Sequence, residues 1–142
     1  CKRWLRQLKE KAAETLRAGV PLSETPYFKN KIAKAEIDLK AIEMLNLRML
    51  SNMVRNLPGH EANMLKIRGS ELQQTMTELR LEIEGANALR YERDGDETSE
   101  LFGDVDYRGD ITSSYLMNRV VTIYGGSNEI QRNVLSKSLL EL

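Results

Sequence analysis

The chain of 142 residues has the length of one ordinary domain, and its 21 lysines and arginines balance 21 aspartates and glutamates. That neutrality leaves no net field to draw in nucleic acid or an anionic membrane. A single cysteine, Cys1, and a single histidine, His60, exclude an internal disulfide and a Cys/His zinc centre and point to a reducing compartment.

No apolar run approaches the roughly 18 residues of a membrane span and no signal-peptide pattern is present, so a soluble intracellular protein is expected. The opening Cys1-Lys2-Arg3-Trp4 lacks an initiator methionine and already lies in a helical pattern, as expected of a piece of a longer chain. Leu5, Leu8, Ala12 and Leu16 then recur at steps of three and four, predicting a first helix to about Ala18, stopped by Gly19 and Pro21, with Trp4 as a core or interface anchor. Ser23 or Thr25 can cap a second helix, with Glu24 or Pro26 in its first turn. Its stripe is narrow from Phe28 through Ile32, Ala35, Leu39 and Ile42. Towards Val54 it widens to include Met44, Leu45, Leu47, Met49, Leu50 and Met53, so that half must be covered by several helices or by another subunit.

Leu57-Pro58-Gly59 ends the second helix, and a third runs from about Glu61 through Leu65, Leu72, Met76, Leu79 and Ile83 to Ala86. Gly69 interrupts it at a cost of about 1 kcal/mol relative to alanine, which predicts close packing or a bend there. His60, at its start, reads as an exposed turn histidine with no acid or nucleophile for a triad. Residues 90–110 turn polar, acidic and glycine-punctuated and read as a long loop; Asp94, Asp96 and Glu97 do not complete a calcium-loop ligand series. A short fourth helix is predicted over Ile111 to Tyr124 and a fifth after Ser127, with Ile130, Val134, Leu135 and Leu139 on one face. No strand, repeat or low-complexity tract is expected. The fold class is all-α, an up-and-down four-helix bundle with a short additional C-terminal helix, forming one domain over residues 1–142.

Between the last two helices, Tyr124 is followed by Gly125 and Gly126, and Ser127 is placed to cap the fifth helix. A helix start beside a flexible kink favours a phosphate, a carbonyl oxygen or another electron-rich group. On local physics alone the same residues also make an ordinary glycine-hinged corner. Glu129, in the first turn, suits helix stabilisation. Phosphate-loop, histidine-pair metal and Gly-x-Ser-x-Gly nucleophile patterns are missing from the sequence.

The run Tyr124-Gly125-Gly126-Ser127-Asn128-Glu129-Ile130-Gln131-Arg132-Asn133, followed by Val134-Leu135-Ser136-Lys137, closely resembles the C-terminal signature of acyl-CoA dehydrogenases. The order of the predicted elements resembles that family's C-terminal helical domain over nearly the whole chain. The resemblance implies an FAD enzyme of fatty-acid metabolism that takes the α-proton of an acyl-CoA thioester while the β-hydrogen leaves as hydride to N5 of FAD. It implies a homodimer or homotetramer, with FAD held partly by a neighbouring subunit, and electrons passed to a carrier protein. The location implied is the cytoplasm of a bacterium or the mitochondrial matrix of a eukaryote. By matching positions, Tyr124 and Gly125 lie beside the thioester and the flavin ring, and Gly126, Ser127 and Glu129 lie along the FAD. Two departures stand out. Many relatives carry their general base directly after the tyrosine, where this chain has Gly125, which cannot abstract a proton; others carry it on the helix that opens the domain, in turns that would lie upstream of Cys1. Over Thr15 to Gly19, where relatives carry Arg-x-x-Phe-Gly against the neighbour's FAD, this chain reads Thr-Leu-Arg-Ala-Gly, with Arg17 as the nearest substitute.

Overall fold

The stripe of Leu5, Leu8 and Ala12 forms the buried face of α1, Lys2–Glu14, in the computed structural model of the chain, which describes residues 1–55, 59–89 and 111–140. The helix stops short of Ala18 because Thr15 is extended and Leu16–Arg17 (β1) pairs antiparallel with Val20–Pro21 (β2). Ala18 and Gly19 both have positive φ, 52° and 79°, the backbone of a two-residue hairpin turn whose twist matches its strands. Gly19 thus closes a small hairpin rather than ending a helix, a strand pair that periodicity did not anticipate.

A 3₁₀ turn at Leu22–Glu24 leads to α2, Pro26–Val54, with Pro26 in the first turn, where its missing N–H costs nothing. Thr25 stands at the N-cap, but its hydroxyl donates to the Leu22 carbonyl at 2.7 Å instead of capping. The next helix, α3, spans Glu61–Glu84 and continues as a 3₁₀ turn over Gly85–Leu89. It runs through Gly69, where an added Cβ would meet nothing within 4 Å, so no close packing is found there among the described residues. Glu61 is buried at the start of α3, paired with Arg48 Nε at 2.9 Å and Asn52 Nδ2 at 2.8 Å, which fastens it to the end of α2. His60, expected to be exposed, is half-buried, with its Nε2 2.9 Å from the Ser138 hydroxyl. Then α4 covers Ile111–Met117, seven residues short of the predicted Tyr124, and α5 covers Asn128–Leu140. The acidic loop predicted over 90–110, and Leu57 and Pro58, lie outside the described residues.

Side-chain pairs give the directions of the helices. Lys2 meets Glu43 at 2.7 Å and Lys9 meets Glu36, so α1 and α2 run antiparallel; Lys31–Glu82 at 2.6 Å and Asn52–Glu61 do the same for α2 and α3. From the 3₁₀ turn after α3 back to the residue before it, Ala88 meets Thr112, Gln74 meets Asn118, and His60 meets Ser138, so α4 and then α5 descend in line beside α3. The bundle is therefore up-and-down, and α5 continues its fourth side past the glycine corner. Leu5, Leu8, Ala12, Leu22, Phe28, Ile32, Ala35, Leu72, Met76, Leu79 and Ile83 make the core, with Trp4 packed at its edge. Fully burying each large apolar side chain contributes about 1.5–3 kcal/mol. The second half of α2 lies beyond this core: Met44, Leu47, Leu50, Met53 and Val54 are 49–86% exposed, uncovered by the chain's own described helices. No helix among the described residues is long and apolar enough to cross a membrane.

Candidate functional site

The corner between α4 and α5 is built from the backbone outward. After Met117 the chain tightens into a 3₁₀ turn at Val120–Thr122, and the amides of Ile123 and Tyr124 both bond the Val120 carbonyl, at 2.9 and 3.1 Å. Past the end of the helix, the backbone carbonyls find side-chain donors on α3. Gln74 Nε2 donates to the carbonyls of Asn118 and Arg119, at 3.2 and 3.3 Å, and Lys66 Nζ donates to Val121, at 3.1 Å. Gly125 and Gly126 follow with φ of 65° and 89°, a successive left-handed pair that costs other residues steric energy. Tyr124, 58% exposed, precedes them.

Ser127 caps α5 as predicted: its Oγ accepts the Ile130 amide at a long 3.4 Å, and its carbonyl accepts the Gln131 amide at 2.9 Å. The next residue, Asn128, is 3% exposed and bonded to α3. Its Oδ1 accepts from Lys66 Nζ at 2.9 Å and from Ser70 Oγ at 3.1 Å. Gln131 accepts from Asn63 Nδ2 at 2.6 Å and reaches back to the Gly125 carbonyl at 3.4 Å. Arg119 bridges to Glu78 at 2.7 Å, and Arg132 to Glu71 at 2.6 Å.

Tyr124, Gly125, Gly126, Ser127 and Glu129 therefore share one corner. Glu129 is exposed, and its carboxyl is held below the ordinary carboxylate range, first by a bond from its own backbone N–H and then by the Ser127 hydroxyl, with the charges of Arg132 and Lys66 adding to the shift. An anion of the chain itself thus uses donors at the α5 start. A Cβ added to Gly125 would meet nothing within 4 Å, leaving the backbone open to a flat ligand, whereas one at Gly126 would fall 2.5 Å from Gln131 Nε2. This donor and acceptor set, with an exposed tyrosine ring beside it, fits one edge of a flavin nucleotide. Arg17 is not brought to the corner. Its guanidinium lies over the Phe28 ring at 5.8 Å and close to Gly85, and along α3 Gly85 stands roughly 28 Å from Lys66 at about 1.5 Å rise per residue. A separate groove of about 1010 Å³ between α2, α3 and α5 is floored by Ile42, Leu45, Ile67 and Leu135 and does not reach Tyr124 or the glycines.

Sequence reading missed the partners on α3. Asn63, Lys66, Ser70, Gln74 and Thr77 recur at steps of three and four, and each bonds the α4–α5 segment, Thr77 through Arg119. A period of uncharged or singly charged polar residues opposite the apolar stripe was the available signal.

A family model described as acyl-CoA dehydrogenase, C-terminal domain, matches residues 1–140. Acyl-CoA dehydrogenase IpdE1 of Mycobacterium tuberculosis is 28% identical over 121 residues, a match covering 84% of this chain and 28% of that protein, so the chain spans under a third of that relative. Of solved structures, the ChsE4–ChsE5 complex from Mycobacterium tuberculosis superposes with a TM-score of 0.73 at 24% identity, over 99% of this chain and 34% of that one. Butyryl-CoA dehydrogenase from Megasphaera elsdenii superposes with a TM-score of 0.74 at 18% identity, over 98% and 32%. At these identities the superpositions speak for the fold.

Proposed function

Because the chain belongs to the acyl-CoA dehydrogenase family, whose C-terminal domain it matches, we propose that it serves the FAD-dependent α,β-dehydrogenation of an acyl-CoA thioester. The observation that carries this reading is the corner: an exposed tyrosine, two left-handed glycines and a serine-capped helix start, in the order of the family signature. FAD, when bound, supplies N5 as acceptor for the β-hydrogen as hydride. Tyr124 and Gly125 border the thioester and the flavin ring, and the open side of Gly125 lets the ligand approach the backbone. Gly126, Ser127 and Glu129 line the cofactor's edge. Glu129 is an acceptor ionised at neutral pH, so it suits a hydroxyl of the cofactor and repels its pyrophosphate.

Gly125 offers no proton acceptor, and Glu129, held below the ordinary range, is a weakened base. The α-proton therefore goes to a group outside Tyr124–Glu129. The exposed half of α2 supports assembly into a homodimer or homotetramer. Electrons leave to a carrier protein. Gly125 also favours a second reading, a relative that holds FAD without dehydrogenating. The test is anaerobic titration of the protein, purified at its natural length, with a series of acyl-CoA chain lengths. Stoichiometric flavin bleached by one of them is expected. Bound flavin that none of them bleaches supports the second reading, and a protein that takes up no flavin is a helical interaction module, against both.

A further inference from the structure

We propose that Lys66 is a positioning residue for the cofactor edge of the corner. This rests on the FAD reading above and deepens it. A Gly-Gly pair loses the most backbone entropy on folding and cannot hold its own conformation, so its geometry must be imposed from its flanks. Lys66 bonds both flanks: the Val121 carbonyl before the glycines, at 3.1 Å, and Asn128 Oδ1 after them, at 2.9 Å. Asn128 is buried and also bonded to Ser70, whose hydroxyl is itself anchored to the Ile67 carbonyl at 2.8 Å. One ammonium on a rigid helix thereby fixes the entrance and the exit of the turn. Among the described residues, the side-chain bond made directly to the pair, Gln131 to the Gly125 carbonyl, is long at 3.4 Å and exposed. With Lys66 in place, FAD meets a preformed backbone and does not bear the entropy of ordering it. Without it, two acceptors packed against α3 lose a charged donor, and the turn is free to sample other conformations.

The experiment compares Lys66→Met, Lys66→Arg and Ile83→Val, each in the protein at its natural length, by FAD affinity from flavin fluorescence and by amide exchange at Gly125 and Gly126. Ile83 is a core residue of α3 remote from the corner and reports general destabilisation. Lys66→Met is expected to weaken FAD binding about tenfold and to speed exchange at both glycines. Lys66→Arg, which keeps charge and donors, restores most of both, and Ile83→Val changes neither. Should Lys66→Met not fold, Lys66→Gln, which keeps one donor, is expected to show a smaller change in the same direction. Wild-type FAD affinity in Lys66→Met, or equal weakening by Ile83→Val at matched stability, overturns the inference. A wild type that takes up no FAD removes the cofactor reading instead, and the glycine exchange, still faster in Lys66→Met, tells that failure from a failure of positioning.

Discussion

At the scale of single residues, Glu129 shows how one side chain can be read for two roles and assigned by its bonds. Its place in the first turn of α5 already suggested a helix-stabilising acid, and the bonds from its own N–H and from Ser127 supply the mechanism. A carboxyl lowered in the folded state adds stability that is fully present above its unfolded value and is lost as pH falls through the folded value. Glu129→Gln should therefore be slightly less stable than wild type at pH 7, and the gap should close as pH drops below the ordinary value of 4.5. Urea midpoints across that range check it; a gap independent of pH would contradict the assignment. Ser127 and the two glycines were legible for a similar reason, since capping and left-handed backbone are local demands met by particular residue types. Lys66 and Asn128 were not legible, because nothing within a few residues of either says that they meet.

At the scale of elements, α3 carries two stripes. Leu72, Met76, Leu79 and Ile83 face the core, while Asn63, Lys66, Ser70 and Gln74 face the α4–α5 corner. The first stripe was readable from hydrophobic period alone; the second resembles a solvated face until its partners are known. Gly69 lies on neither, and a Cβ there would meet nothing within 4 Å among the described residues, which give its flexibility no packing purpose. Gly69→Ala is expected to stabilise the protein by about 0.5–1 kcal/mol through helix propensity and a less flexible unfolded chain. Denaturant midpoints measure this, and a destabilisation would reveal that the glycine is packed against another subunit. The break after α4 is also an element-scale result. A run with helical period through Ile123 stops at Met117, and beyond it the carbonyls of Asn118, Arg119 and Val121 are taken by Gln74 and Lys66 of α3.

At the scale of the whole molecule, the exposed outer stripe of Ile37, Met44, Leu47, Leu50 and Val54 on α2 exceeds what an isolated bundle leaves in water without consequence. We predict that Leu47→Glu lowers the mass of the protein in light scattering by at least a factor of about two, with helical content unchanged, as a charge placed in a buried interface should. An unchanged mass would show that this face is not the interface. The sequence by itself determined the long helices, the apolar width of α2, the glycine corner with its capped helix and the family signature. All of these are written in local period or in contiguous residues. Only the tertiary structure decided the hairpin at Ala18-Gly19, the early end of α4 and the polar stripe that holds the corner. In the last two, the hydrogen bonds join residues 42 to 68 positions apart, and no short window of sequence contains both the donor and the acceptor it satisfies.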